Sequence, residues 1–128
     1  MSRIKDIVVD AVRPSSLAAF WAEVLDGYTV RAYDAAEVAR LADLGLTPET
    51  DRAVAVDGPG PTLFFQLTKE AKVARNRIHL DITCTSRSAE VARLEILGAT
   101  VRDVHVDYTV MRDPEGNEFC VTEATPYA

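Results

Sequence analysis

Histidine, cysteine and tryptophan are scarce in this sequence, and long apolar runs are missing. The 128 residues include two His, two Cys and one Trp. No stretch approaches the roughly 18 consecutive apolar residues that a membrane span needs, so no membrane partner is expected. The two cysteines, Cys84 and Cys120, lack zinc-finger spacing. A pair of thiols in a chain with no evident leader is read as reduced rather than bridged. Basic residues are outnumbered, 14 Lys and Arg against 20 Asp and Glu, for a net charge of −6 at pH 7. That balance argues against general nucleic-acid binding, which needs surplus cations to neutralise phosphates. No apolar signal region or Arg/Ser-rich transit segment is visible at the N-terminus, so the expected location is the cytoplasm.

What is present is a strand–helix–strand pattern that runs twice. Ile4 to Ala11 is rich in β-branched residues and reads as a strand. Pro14 opens a helix at a position where its missing N–H costs nothing. Leu17, Phe20, Trp21, Val24 and Leu25 give that helix one apolar face, with Trp21 as core, and Gly27 is the expected stop. Tyr28 to Tyr33 reads as a strand. Asp34-Ala35-Ala36-Glu37 has the capping-box pattern of a second helix carrying Val38, Leu41 and Leu44, ending at Gly45. Arg52 to Val56 is a weaker strand and Thr62 to Thr68 a strong one. Between them Asp57-Gly58-Pro59-Gly60-Pro61 is a turn, attributed to the special backbone angles of Gly and Pro. Residues 69–76 form a polar connector whose Lys69, Lys72 and Arg75, with Arg77 just beyond, read as a solvated linker or an anion patch. The pattern then restarts: a strand at 77–84, a helix at 87–97 stopped by Gly98, strands at 100–106 and 108–111, a turn at 113–117 and a last strand at 118–123. The expectation is one α+β domain over 1–128, with module one at about 1–70 and module two at about 76–125. Ala36-Glu37-Val38-Ala39-Arg40-Leu41 echoes Ala89-Glu90-Val91-Ala92-Arg93-Leu94. The spacing is wrong for the module repeat, so the echo is read as convergence on a good helix sequence.

Side chains alternate between the two faces of a strand. At 77–84, Ile78, Leu80 and Ile82 oppose Arg77, His79 and Asp81. At 118–123, Phe119 and Val121 oppose Glu118, Cys120 and Thr122. At 62–68, Leu63, Phe65 and Leu67 oppose Phe64 and Gln66, and at 4–11, Ile7 and Val9 oppose Asp6, Val8 and Asp10. The apolar faces must pack on helices. The polar faces are either the wet side of antiparallel sheets or, if the sheets curve, a concave wall carrying Asp6, Asp10, Gln66, His79, Asp81, Glu118 and Cys120.

The segments LAAFWAEVLDGY, LFFQL, RNRIHLDITC, AEVARLEILGA and VMRDPEGNEFCV together resemble the glyoxalase-like proteins of the vicinal oxygen chelate superfamily (glyoxalase, bleomycin resistance and dioxygenase proteins). The resemblance spans nearly the whole chain. It implies paired βαβββ modules forming a cupped, half-open barrel sheet with the helices outside, a site inside the cup and a homodimer. Metal-using relatives place four ligands there, usually His or Gln, Glu, His and Glu. Those positions fall on Asp6, Gln66, His79 and Cys120 here, so only His79 keeps its usual identity. A divalent metal is possible but not favoured, because Gln is a weak ligand and Cys favours softer ions.

Three functions follow from this reading. The first is a protein binding a small organic molecule in the cup, without the usual metal centre. Its expected ligand-binding residues are Asp6, Asp10, Gln66, His79, Tyr108, Glu118 and Cys120. The second is a lyase or isomerase using His79 as acid or base, with Asp81 orienting the ring or raising its pKa, with or without a metal. The third is a structural or partner-binding module with a vestigial cup. Cys120 reads better as a small core thiol than as a nucleophile, since no second histidine lies near it in sequence.

Overall fold

The computed structural model describes residues 1–123; the expected end of module two, near residue 125, lies outside the described residues. The elements run β1 (Asp6–Ala11), α1 (Pro14–Val24), β2 (Thr29–Val30), α2 (Ala35–Asp43), β3 (Ala53–Asp57), β4 (Thr62–Leu67), β5 (Leu80–Cys84), α3 (Arg87–Leu97), β6 (Thr100–Val104), β7 (Tyr108–Arg112) and β8 (Glu118–Glu123). A single 3-10 turn, Pro48–Thr50, stands between α2 and β3. The chain divides into two compact units, Met1–Ala71 and Lys72–Ala128. Each holds an open four-stranded sheet, in the orders β1-β4-β3-β2 and β5-β8-β7-β6. The class is α+β, with one βαβββ pattern in each unit.

The two units repeat the same local solution. In each, the outer strand pairs in parallel with the last strand and the others are antiparallel. The helix begins three residues after the first strand ends, Ala11 to Pro14 and Cys84 to Arg87, and both helices have 11 residues. The pseudo-equivalent of α1 is therefore α3. The echoing sequence at 36–41 lies in α2, which has no counterpart in the second unit, so the echo is not a module repeat.

In the first unit α1 packs against β3 and β4. Leu17, Ala18, Trp21 and Val24 are buried, as are Ala11, Val54, Val56, Leu63 and Phe65. Burial of a side chain such as Phe65 contributes about 1.5–3 kcal/mol. The Phe20 and Trp21 rings meet edge to face, centroids 5.5 Å apart. Pro14 sits at the start of α1, and Gly27 follows its end with φ +74°. In the second unit α3 packs against β6, β7 and β8 over buried Leu94, Ala99, Thr109, Met111, Phe119 and Val121. Ser86 caps its start and Gly98, at φ +116°, stops it.

Three expectations are corrected. Of the strand expected over 28–33, only Thr29–Val30 pairs as β2, although the Arg31 amide still donates to the Ala55 carbonyl. The strand expected from residue 77 starts at Leu80, because the first pairing partner that β8 offers β5 is Phe119. Ile78 is 81% exposed and does not join the apolar face. Finally, Gly58 and Gly60 do not have positive φ, so backbone angle is not the reason for glycine in the 57–61 turn.

Candidate functional site

Each sheet has one face on its helix and one turned away from it, and the registers fix which side chains share the latter. In the first unit Asp6 pairs with Thr62, Val8 with Phe64 and Asp10 with Gln66. Ala55 and Ala53 continue the Phe64 and Gln66 rows on β3. Gln66 Nε2 donates to Asp10 Oδ1 at 2.9 Å, so these two expected site residues hold each other at an exposed position. Asp6 is half-buried, with Lys5 Nζ 3.9 Å away.

In the second unit Asp81 pairs with Cys120, and Cys120 with Val110. The Cys120 thiol is pushed up in pKa by burial, then by the charge of the Asp81 carboxylate and by its hydrogen bond to it. A thiol held protonated in this way is a poor nucleophile. His79 is half-buried just before β5 and makes no hydrogen bond or ion pair among the described residues; Asp81 is turned to Cys120. Tyr108 stacks on His105, ring centroids 4.5 Å apart.

Glu118, expected from the sequence as a ligand contact, is engaged within the protein. It is 5% exposed, and its carboxylate accepts from Lys72 Nζ at 3.1 Å and from the Asn76 amide at 3.1 Å. Burial alone would raise its pKa, but the Asn76 amide and the Lys72 ammonium outweigh burial and lower it. Glu118 ties the segment ahead of β5 to β8. Lys72, read from the sequence as solvated or anion-binding, is committed to this buried pair.

A cavity of about 360 Å³ lies within the first unit, on the side of the sheet opposite α1. Ala53 and Ala55 of β3 and Phe64 of β4 form its floor; Leu41 of α2, with Leu44 and Leu46 beyond the helix, forms one wall. The cavity exists because two alanines stand in the centre of the sheet where larger residues would fill the space under α2. Leu41 is only 1% exposed and is the buried residue of α2 that lines the cavity. Asp34 starts α2 by accepting from the Glu37 amide at 2.8 Å, as the capping pattern required.

Polar groups ring this cavity: Arg31, Tyr33, Glu37, Arg40, Asp51 and Arg52. Tyr33 donates its hydroxyl to Asp51 Oδ2 at 2.6 Å, while Asp51 Oδ1 accepts from the Ala53 amide. Burial first, and then this hydrogen bond, raise the Tyr33 pKa well above the ordinary phenol value. Arg31 makes a two-pronged contact with Asp57, at 2.7 and 2.8 Å. None of the residues singled out from the sequence as ligand-binding lines the cavity. A signal was nevertheless there: small Ala53 and Ala55 alternate with Val54 and Val56, and bulky Phe64 stands on the polar face of β4.

The metal set fits poorly. Aligning the units on their strand–helix junctions makes Asp6 the counterpart of His79 and Phe64 the counterpart of Cys120; Gln66 corresponds to Thr122. Phe64 offers no donor atom, and Gln66 is hydrogen-bonded to Asp10. Among the described residues, no three His, Cys, Asp or Glu side chains are grouped to hold a metal ion.

The family model described as a glyoxalase-like domain matches residues 6–122. The chain belongs to the glyoxalase-like domain family. Solved structures agree on the fold of this glyoxalase-like domain. A glyoxalase/bleomycin resistance protein/dioxygenase family enzyme from Burkholderia phytofirmans PsJN superposes with a TM-score of 0.69 at 13% identity, covering 97% of this chain and 100% of the other. A possible glyoxalase from Bacillus cereus gives 0.63 at 15% identity, covering 95% and 99%. A glyoxalase/bleomycin resistance protein from Albidiferax ferrireducens T118 gives 0.56 at 17% identity, covering 97% and 100%. At such identities the likeness speaks for the fold alone, and fold does not fix function. A search of curated proteins finds no match. Among the described residues, no helix of the glyoxalase-like domain is long and apolar enough to cross a membrane.

Proposed function

We propose that this glyoxalase-like domain binds a small organic molecule on the open face of its first sheet, without the four-ligand metal centre of metal-using relatives. The observation that carries this reading is the 360 Å³ cavity under α2, with an apolar floor and a polar rim. It falls at the small end of the range for ligand sites, and its apolar body with a few placed polar groups is their usual composition. Solved structures of this fold are described both as an enzyme and as a glyoxalase/bleomycin resistance protein, so a pocket that only binds is in keeping with the fold.

The test is a thermal-shift screen of aromatic and carbonyl compounds, because a ligand that binds only the folded state raises the melting temperature. The expected result is a set of stabilising compounds whose effect disappears in Ala55→Leu, a variant that fills the floor, while the variant melts as cooperatively as the parent. Compounds that stabilise both proteins equally would move the site elsewhere. Elemental analysis of protein purified without a metal-affinity tag is expected to find less than stoichiometric divalent metal; one bound ion per chain would overturn the metal-free part. Free Cys84 and Cys120 support a reducing, cytoplasmic location. The homodimer rests on the family resemblance, and a monomeric mass by light scattering would remove it.

A further inference from the structure

The cavity rim carries more positive groups than the chain's composition would suggest. The protein has a net charge of −6, yet three guanidinium groups and only two carboxylates line this space. Several of these charges are already engaged. Arg31 is held by Asp57 through two hydrogen bonds, and Asp57 also accepts from Thr62 Oγ1 at 2.8 Å. Asp51 has both oxygens occupied, by the Tyr33 hydroxyl and the Ala53 amide. That leaves Arg40, Arg52 and Glu37 as the charged side chains whose hydrogen-bonding capacity is unspent.

The two arginines differ from Glu37 in what they can hold. Each guanidinium has five N–H donors in a planar fork that matches a carboxylate. Among the described residues neither the Arg40 nor the Arg52 guanidinium hydrogen-bonds or ion-pairs with another group; the Arg52 carbonyl, not its side chain, accepts from the Leu67 amide. Glu37 is a single acceptor group one helical turn before Arg40. Apart from these charged groups and Tyr33, the lining is apolar: Leu41, Leu44, Leu46, Ala53, Ala55 and Phe64. At roughly 30 Å³ of liquid volume per water, the 360 Å³ cavity has room for about a dozen waters, or one ring with a short side chain.

Resting on the binding function proposed above, we propose that the cavity takes a small organic acid, its carboxylate held by Arg40 and Arg52 and its compact apolar body laid on Phe64 between Leu41 and the two alanines. The arginines act as the specificity-determining residues. The Tyr33–Asp51 and Arg31–Asp57 pairs satisfy the neighbouring rim groups, leaving the two arginines for the acid. No chemical step on the acid is part of this assignment.

The experiment titrates phenylacetate, phenylacetamide and phenethylamine into 15N-labelled protein, followed by amide shift changes up to millimolar probe. The same is done with an Arg40→Gln/Arg52→Gln double variant. Expected are shifts at residues of α2, β3 and β4, and about tenfold tighter binding of the acid than of the amide, the size of one charge-assisted hydrogen bond. The preference should shrink as salt rises and vanish in the double variant. Equal binding of acid and amide would overturn the acid assignment while leaving small-molecule binding intact. Tightest binding of the amine would give the decisive contact to Glu37 and likewise overturn it. Absence of shifts at the cavity with all three probes would defeat both readings. Loss of the amide as well in the double variant, with unchanged melting, would make the arginines part of the general pocket wall rather than selectors of acids.

Discussion

Gly58 lies directly against the ring of Tyr28: a Cβ at position 58 would come within 2.4 Å of Tyr28 Cδ1. Two residues further on, a Cβ at Gly60 would lie 2.7 Å from the Tyr28 hydroxyl, which donates to the Pro61 carbonyl at 3.0 Å. The β3–β4 connection is thus wrapped round an aromatic ring, and glycine is required for space. Gly58→Ala is expected to lower stability by about 1–3 kcal/mol, the usual cost of overpacking, read from the denaturant midpoint. Adding Tyr28→Ala should make Gly58→Ala nearly silent, since the obstacle is gone. A full effect that persists without the ring would point to the backbone instead.

Buried Glu118 gives a second expectation. Glu118→Ala leaves Lys72 and the Asn76 amide without their acceptor and should cost about 3 kcal/mol, as breaking a buried pair does. Because the folded-state pKa of Glu118 is lowered, its contribution is complete above the ordinary carboxylate value of 4.5 and is lost as pH falls through the lowered one. The acid limb of a stability–pH curve should therefore flatten in Glu118→Gln relative to the parent. An unchanged acid limb would mean that the pair does not hold in solution.

The exposed Arg31–Asp57 pair should behave differently. The Arg31 guanidinium, helped by Thr62, holds the Asp57 carboxyl at a pKa of about 2. Carbon-detected NMR titration should find that midpoint, and Arg31→Ala should return it toward the usual value near 3.8. The linked stability is present above the unfolded pKa and fades as pH drops toward 2. It should be below about 1 kcal/mol because both side chains are substantially solvated.

Cys120 is expected to alkylate slowly. Its pKa is raised by burial and by Asp81, and the thiolate is the reactive form. Asp81→Asn removes one of the two causes and should speed iodoacetamide labelling of Cys120 several-fold, while Cys84, whose raised pKa comes from its own burial and from Glu90 and Glu123, keeps its rate. Mass spectrometry of the labelled peptides distinguishes the two; equal acceleration at both sites would indicate general loosening.

Periodicity made the elements legible, and burial confirms the helix-facing rows at Leu63, Phe65, Phe119 and Val121. Strand ends were less legible, because they depend on the partner strand: His79 sits on an alternating segment but has no ladder to join. The candidate site was hardest to read. Alternation says which residues share a face, but not that the Asp10 and Gln66 side chains satisfy each other, or that Glu118 is already spent on Lys72. Nor does it say that a helix lies across Ala53 and Ala55. Alanine at two alternate positions marks a hollow only once its cover is known.

That cover belongs to residues 31–52, between β2 and β3, where the second unit needs only residues 105–107 between β6 and β7. The hollow therefore needs both the alanines of β3 and a long connection that only the first unit has. Lengthening, shortening or removing that one connection is therefore expected to change the chamber while the paired strands beneath keep their register.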